Sequence, residues 1–292
     1  MAALGTAVCW AAGSNLFAAA GRRMGSATLN LLRITVAMLL LAATLLVVRG
    51  SPWPWWATGS QVLLLGASGL VGFVFGDSWY FRSLVILGPG RAALVASLAP
   101  LFTAVLAWPV LGESPGPRVV LGMAMTLGGV AWVLFERAHA IPRHVEGSAV
   151  VGVAAGLLGA IGQAGGYVIS KRALSSGIDP LSATVIRIVF AAAAIWVLAA
   201  FRRDFARPLA ALRDRRSVAF MVAGSIAGPF LGVTLSLTAL ALIPAGVAAS
   251  ITAIFPLLTI LISSRFHRER LTFRLLAGAG VAVAGVVVLF LR

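Results

Sequence analysis

Ten stretches of this 292-residue chain run for about twenty residues each with almost no charge, the length a helix needs to cross the hydrocarbon layer of a bilayer. They lie near 2–20, 28–48, 60–81, 89–110 and 117–135, then near 148–169, 180–201, 217–238, 244–264 and 272–291, punctuated by Gly, Pro and Arg. Hydrophobic residues fill 60% of positions and charged residues 11%, against about half and about a quarter in a soluble domain. The expected fold is an all-α integral membrane protein of ten transmembrane helices, multi-pass in a cell (inner or plasma) membrane, with the lipid bilayer as its first partner. The first run is read as a retained helix: Ala18, Ala19 and Ala20 before Gly21 look like a cleavage site, but Arg22 and Arg23 follow the run instead of preceding it.

A repeat organises these runs. Shifting the chain by 156 positions places Pro100, Leu101 and Thr103 on Pro256, Leu257 and Thr259, Glu113 on Glu269, and Arg118 on Arg274. Gly72, Gly76, Gly90, Gly122 and Gly129 fall on Gly228, Gly232, Gly246, Gly278 and Gly285, and a shift of 154 places Arg33 on Arg187. Two five-helix repeats follow, 1–138 and 139–292. Because five is odd, the second enters the membrane from the opposite side, and the pair is inverted. Secondary transporters use inverted halves to open a central site to each side in turn.

The run Pro100 to Glu113, PLFTAVLAWPVLGE, with Gly122, Gly128 and Gly129 after it, resembles the end of an EamA repeat of the drug/metabolite transporter superfamily. Pro256 to Glu269, PLLTILISSRFHRE, with Gly278 and Gly285, resembles a second copy. The resemblance covers nearly the whole chain. It implies a five-plus-five inverted fold and transport of small organic metabolites such as amino acids or amines, frequently outward.

The net charge of +15 is carried by loops between apolar runs, so it indicates basic loops beside anionic lipid and no nucleic-acid partner. Those loops bear on orientation. The side holding the termini carries Arg49, Arg118, Lys171, Arg172 and Arg292, whereas about sixteen arginines lie on the other side, including the run from Arg202 to Arg216. The positive-inside rule therefore places both termini outside the cytoplasm, while the family resemblance implies termini inside. The single cysteine, Cys9, excludes an intramolecular disulfide.

Ionisable groups inside spans are costly and mark functional positions. Asp77 is the one acid within a run. Asp77 in the third span and Arg33 in the second are expected about 7 to 9 Å from the midplane on the same side, close enough to pair. Two readings follow: a permanent ion pair that fixes packing, or a gate in which protonation of Asp77 releases Arg33. The position matching Asp77 in the second repeat is Val233, so Arg187 lacks the equivalent acid. Arg187 is expected to cap backbone carbonyls, to snorkel, or to bind a substrate carboxylate.

Polar residues on single helix faces are candidates for cavity lining or interhelical hydrogen bonds: Ser14 and Asn15; Trp79 and Tyr80; Gly159, Gln163, Tyr167 and Ser170; Thr234, Ser236 and Thr238. Ser68, Gly72 and Gly76, like Gly224, Gly228 and Gly232, recur every four residues and suit close helix contact. Pro100 and Pro256 inside spans are expected to kink them. Trp53, Trp55 and Trp56 read as an interfacial belt.

No cofactor and no metal site is expected. His139, His144 and His267 lie in loops away from the cysteine. Gly112 to Gly116 spell a nucleophile elbow without the strand and histidine it needs, and Gly88, Pro89, Gly90 and Ala93 mimic a dinucleotide loop without its βαβ unit. Three functions remain: a secondary carrier moving a small organic molecule by alternating access, outward and coupled to protons through Asp77; an integral membrane enzyme; or a membrane scaffold. The carrier accounts best for the buried charges.

Overall fold

The computed structural model describes residues 1–87, 92, 95–140, 149–201, 206–255, 257–258 and 273–290. Among them the elements are all helical. The first repeat holds α1 (Ala2–Met24), α2 (Ser26–Arg49), α3 (Gly59–Gly69), a π-helical segment (Leu70–Gly76), α4 (Asp77–Leu87), α5 (Ala99–Leu111) and α6 (Pro117–Ala140). The second holds α7 (Ala149–Leu174), α8 (Pro180–Phe201), the short α9 (Ala206–Ala211), α10 (Arg215–Ser225), a second π-helical segment (Ile226–Gly232), α11 (Val233–Leu242), α12 (Ala245–Thr252) and α13 (Phe273–Phe290). Among the described residues six helices are long and apolar enough to cross a membrane, including Gly59–Ser83 and Arg215–Leu242, each of which runs through a π segment.

Lipid offers a backbone no water, so each hydrogen-bonding group must find a partner inside the protein. Hydroxyls obey the same constraint by bonding back to their own helix: Thr6 Oγ1 donates to the Ala2 carbonyl, Thr126 to Gly122, Thr234 to Phe230 and Thr238 to Thr234. The turn between α1 and α2 is a single residue, Gly25, with φ 77° and ψ 156°, a conformation open essentially to glycine.

The boundaries differ from the hydropathy pattern in three instructive places. α7 continues through Lys171 and Arg172, expected in a loop, and the Lys171 ammonium donates to the Leu240 carbonyl near the end of α11. That satisfies an orphan carbonyl of a helix C-terminus. The basic stretch after α8 contains a helix of its own, α9. Finally, the fourth span is broken. Ser97 and Leu98 form a turn and Pro100 stands in the first turn of α5, where its missing N–H costs nothing, so the helix restarts there. Ala253 and Ile254, offset by 156, form the matching turn after α12. Pro256, Glu269, His144, His267 and the Gly88–Gly90 run lie outside the described residues.

The chain folds as two compact units, each drawing on both repeats. One comprises Met1–Val74 and Ile169–Ala241, the other Phe75–Val168 and Leu242–Arg292. Within the first, α1 packs against α10 and the second π segment: Gly13 faces the backbone of Gly228, and the Phe17 ring covers Gly224. Phe17 joins Ala20, Leu29, Leu31, Leu32 and Met221 in one apolar cluster.

In the second unit, α6 and α13 meet through glycines. A Cβ at Gly129 would stand 2.4 Å from the Ala282 nitrogen, and one at Gly285 would stand 2.4 Å from the Thr126 nitrogen. Gly122 likewise faces Gly285, and Gly278 faces Gly129. Rising numbers on α6 meet falling numbers on α13, so the two helices are antiparallel. They are also repeat equivalents: Gly122 matches Gly278 and Gly129 matches Gly285. Each glycine therefore meets the counterpart of the other, the reciprocity of a two-fold contact.

At the start of α10, Asp214 accepts from the Ser217 hydroxyl at 2.7 Å and from Arg23 at 3.1 Å. The Ser217 side chain first, then Arg23 and the Ser217 backbone, hold the Asp214 carboxyl down at about 2. A depressed acid supports the cap above its unfolded value near 4 and loses it as pH falls towards 2. Hydrogen exchange at the Ser217 amide is expected to accelerate through that window beyond the intrinsic rate; constant protection would contradict the assignment. For the glycine seam, Gly129→Ala is expected to lower stability in detergent by about 1 to 3 kcal/mol. Gly128→Ala, where a Cβ meets nothing within 4 Å, should change it by no more than about 1 kcal/mol in the stabilising direction. Thermal unfolding of the two neighbours decides this, and equal effects would contradict the seam.

Candidate functional site

The third span changes helix type just before its acid. Leu70–Gly76 is π-helical, and Asp77 is the first residue of the α-helix that follows. Its side chain, 6% exposed, accepts a hydrogen bond from Gln163 Nε2 at 2.6 Å. Gln163 stands on α7, the first helix of the second repeat, so the bond joins helices of opposite repeats within one unit. It is a short bond to a buried carboxylate, the stronger class of hydrogen bond.

Close backbone packing brings these groups together. Gly162 presses on Gly76, where an added Cβ would fall 2.7 Å from the Gly76 Cα, and Gly159 faces the Tyr80 nitrogen at 2.9 Å. Further along the same antiparallel seam, Gly156 faces Ser83 and Gly152 faces Ile86 and Leu87. The Ser83 hydroxyl is fully buried. Trp79 sits between Phe75, edge to face at 6.2 Å, and the Arg82 guanidinium, 5.3 Å from its ring centre.

Arg33 and Asp77, expected to face one another at one depth, fall in different units. Arg33 is buried on α2, donates from Nε to Asn30 Oδ1 at 2.9 Å, and lies 5.3 Å from the centre of the Phe17 ring. Arg187, 1% exposed on α8, lies over Phe73 at 5.0 Å. A desolvated cation over an aromatic face gains about 2 kcal/mol, which offsets part of the burial cost. Asn15 Nδ2 bonds back to the Ala11 carbonyl of its own helix. Tyr167 is half-buried on α7, one turn beyond Gln163.

Two features escaped the sequence reading. The glutamate that ends the first motif, Glu113, accepts from the Ala245 backbone N–H at 2.7 Å. It thereby caps α12 across the repeats. The second feature is the pair of π segments, whose signal was the 156-residue offset applied to Leu70–Gly76 and Ile226–Gly232.

A profile of the EamA-like transporter family matches residues 1–135 and 150–291, one copy per repeat. The chain belongs to the EamA-like transporter family. Members of this family are transporters, and this EamA-like protein is a multi-pass membrane protein. Comparison with curated proteins finds no match. The crystal structure of a protein 20% identical to it aligns over 98% of this chain and 95% of its own, with a TM-score of 0.73, and shows that the fold is shared.

Removing Gln163 leaves a buried carboxylate short of a donor, at a cost of about 1 to 3 kcal/mol. Gln163→Leu is therefore expected to destabilise the EamA-like protein, and adding Asp77→Leu to recover most of the loss. A thermal double-mutant cycle that shows strict additivity would contradict the pairing.

Proposed function

We propose that this chain is a secondary carrier of ten transmembrane helices, arranged as two inverted five-helix repeats over 1–138 and 139–292. It moves small amino acid- or amine-like metabolites by alternating access, outward across the cell membrane, and couples that movement to protons through Asp77. The observation that carries the reading is the Asp77–Gln163 bond, a buried acid of the first repeat held by the first helix of the second. An acid at such a joint changes the strength of the joint when it gains a proton, because the bond from Gln163 loses its ionic acceptor. Opening of one face is thereby tied to proton uptake.

Further support comes from the chain's own irregularities. Broken helices in matched positions, here at Ser97–Leu98 and Ala253–Ile254, expose backbone groups inside a bundle, where transporters build solute sites. Arg187, buried beneath its own helix packing, is the candidate for a solute carboxylate, and Arg33 its counterpart in the other repeat. Trp79, Tyr80 and Tyr167 supply aromatic surface near the acid.

Flux of a mixed metabolite pool in proteoliposomes, with and without a pH gradient, tests this reading. The intact chain is expected to carry at least one amine or amino acid faster under the gradient, and Asp77→Asn to abolish the gradient's effect while the protein stays folded. Absence of flux for every solute, or unchanged coupling in Asp77→Asn, would contradict it.

A further inference from the structure

The two π-helical segments are separated by 156 residues at both ends, the offset of the repeat itself. A π turn is rare, and a single one commonly marks a functional position. Two at matching places are a property of the repeat. They are not equivalent in sequence, however: LVGFVFG in the first is IAGPFLG in the second, so Phe73 corresponds to Pro229.

That difference has a mechanical meaning. Proline cannot join an α-helical ladder, and its ring collides with the carbonyl four residues back, a clash that a wider π turn relieves. Pro229 thus holds the second segment in the π form. Phe73 keeps its N–H and can bond in either an α or a π ladder. The first segment is free to convert where the second is not, and the first is the one followed by an acid, Asp77, where the second is followed by Val233.

The surroundings suit a rotation. Upstream, the third span is tightly packed, with Gly69 against the Arg187 backbone, while within the segment Phe73 lies under the Arg187 guanidinium. Downstream, Gly76, Tyr80 and Ser83 lie against Gly162, Gly159 and Gly156, three positions of α7 that carry no side chain to interlock with them. The boundary between the compact units falls between Val74 and Phe75, inside the segment.

We propose that Leu70–Gly76 positions Asp77 as a π–α switch: in the π form Asp77 faces Gln163, and conversion to α-helix turns the following helix by one residue and replaces Asp77 with Gly76. Taking up the extra residue rotates everything downstream by about 100° and advances it by about 1.5 Å. Arg82 then occupies the place of Ser83 opposite Gly156. The role of this motion in transport rests on the reading of Asp77 as the coupling acid, whereas the motion itself does not.

Cysteine pairs in a Cys9→Ser chain test it in membranes. Ser83→Cys/Gly156→Cys reports the π register, and Arg82→Cys/Gly156→Cys the α register. Both pairs are expected to cross-link on oxidation, the first more. Deleting Val71 removes the extra residue, leaving an α-helix with Asp77 still facing Gln163. Phe73→Pro copies Pro229. Each is expected to cut the Arg82–Gly156 yield about tenfold and the flux by a similar factor while keeping the Ser83–Gly156 yield; both are judged as population shifts. Phe73→Ala, which removes the ring without the lock, controls for the lost contact with Arg187 and should keep both yields. If the deletion fails to fold, Phe73→Pro against Phe73→Ala gives the same comparison. An Arg82–Gly156 pair that never cross-links, or does so equally in the locked chains, overturns the switch. If no chain carries any solute but the yields change as described, the carrier reading fails and the switch stands.

Discussion

Backbone-to-backbone contact between helices of opposite repeats governs this structure. At Gly122, Gly129, Gly278 and Gly285 two antiparallel helices approach so closely that a single added methyl group at Gly129 or Gly285 would meet main-chain nitrogen at 2.4 Å. Helices gain little from hydrophobic association in lipid, which is as apolar as their side chains, so packing at this range supplies the attraction. Because Gly122 meets the counterpart of Gly129, and Gly129 the counterpart of Gly122, the sequence repeat becomes a two-fold contact. The same logic runs through α1 against the second π segment, at Gly13 and Gly228, and through α7 against the end of the first π segment, at Gly162 and Gly76.

This frame is symmetric in backbone and asymmetric in chemistry. The π segments, the turns at Ser97–Leu98 and Ala253–Ile254, and the glycine seams recur at the repeat offset. Asp77 and Phe73 have no like partner, being matched by Val233 and Pro229. A helix backbone can copy a shape without copying its charges, which lets a pair of similar repeats bear different work. The bond from Gln163 to Asp77 is where shape and charge meet.

Much of this was legible in the chain alone. Apolar runs gave most of the helices because span length and hydrocarbon thickness are tied together, and the offset of 156 exposed the glycines before any contact was seen. What stayed hidden has a common cause: hydropathy does not encode register within a helix. LVGFVFG is equally apolar as an α- or a π-helix, so the direction of Asp77 could not be read, and the bond it accepts from Gln163 went unforeseen. Lys171 looked like a loop residue because its charge ended the apolar run, although its ammonium serves the Leu240 carbonyl and the helix continues beneath it. Pro100 read as lying inside a continuous span because the turn before it is made of ordinary residues, Ser97 and Leu98. Glu113 was visible as a repeated letter, but the N–H it accepts from lies 132 positions away.

The antiparallel pairing of α6 with α13 is the claim on which the two-fold reading depends, and a pair of spin-label distances tests it. In a Cys9→Ser chain, labels at Arg118 and Leu289 should lie close together, since numbers on the two helices run oppositely and Gly122 faces Leu289. Labels at Arg118 and Leu276 should be clearly farther apart, since the second positions are separated by about 20 Å along the axis, the rise of thirteen residues. Electron double resonance in bilayers giving that order supports an inverted pair. The reverse order, with Arg118 nearer Leu276, would contradict it.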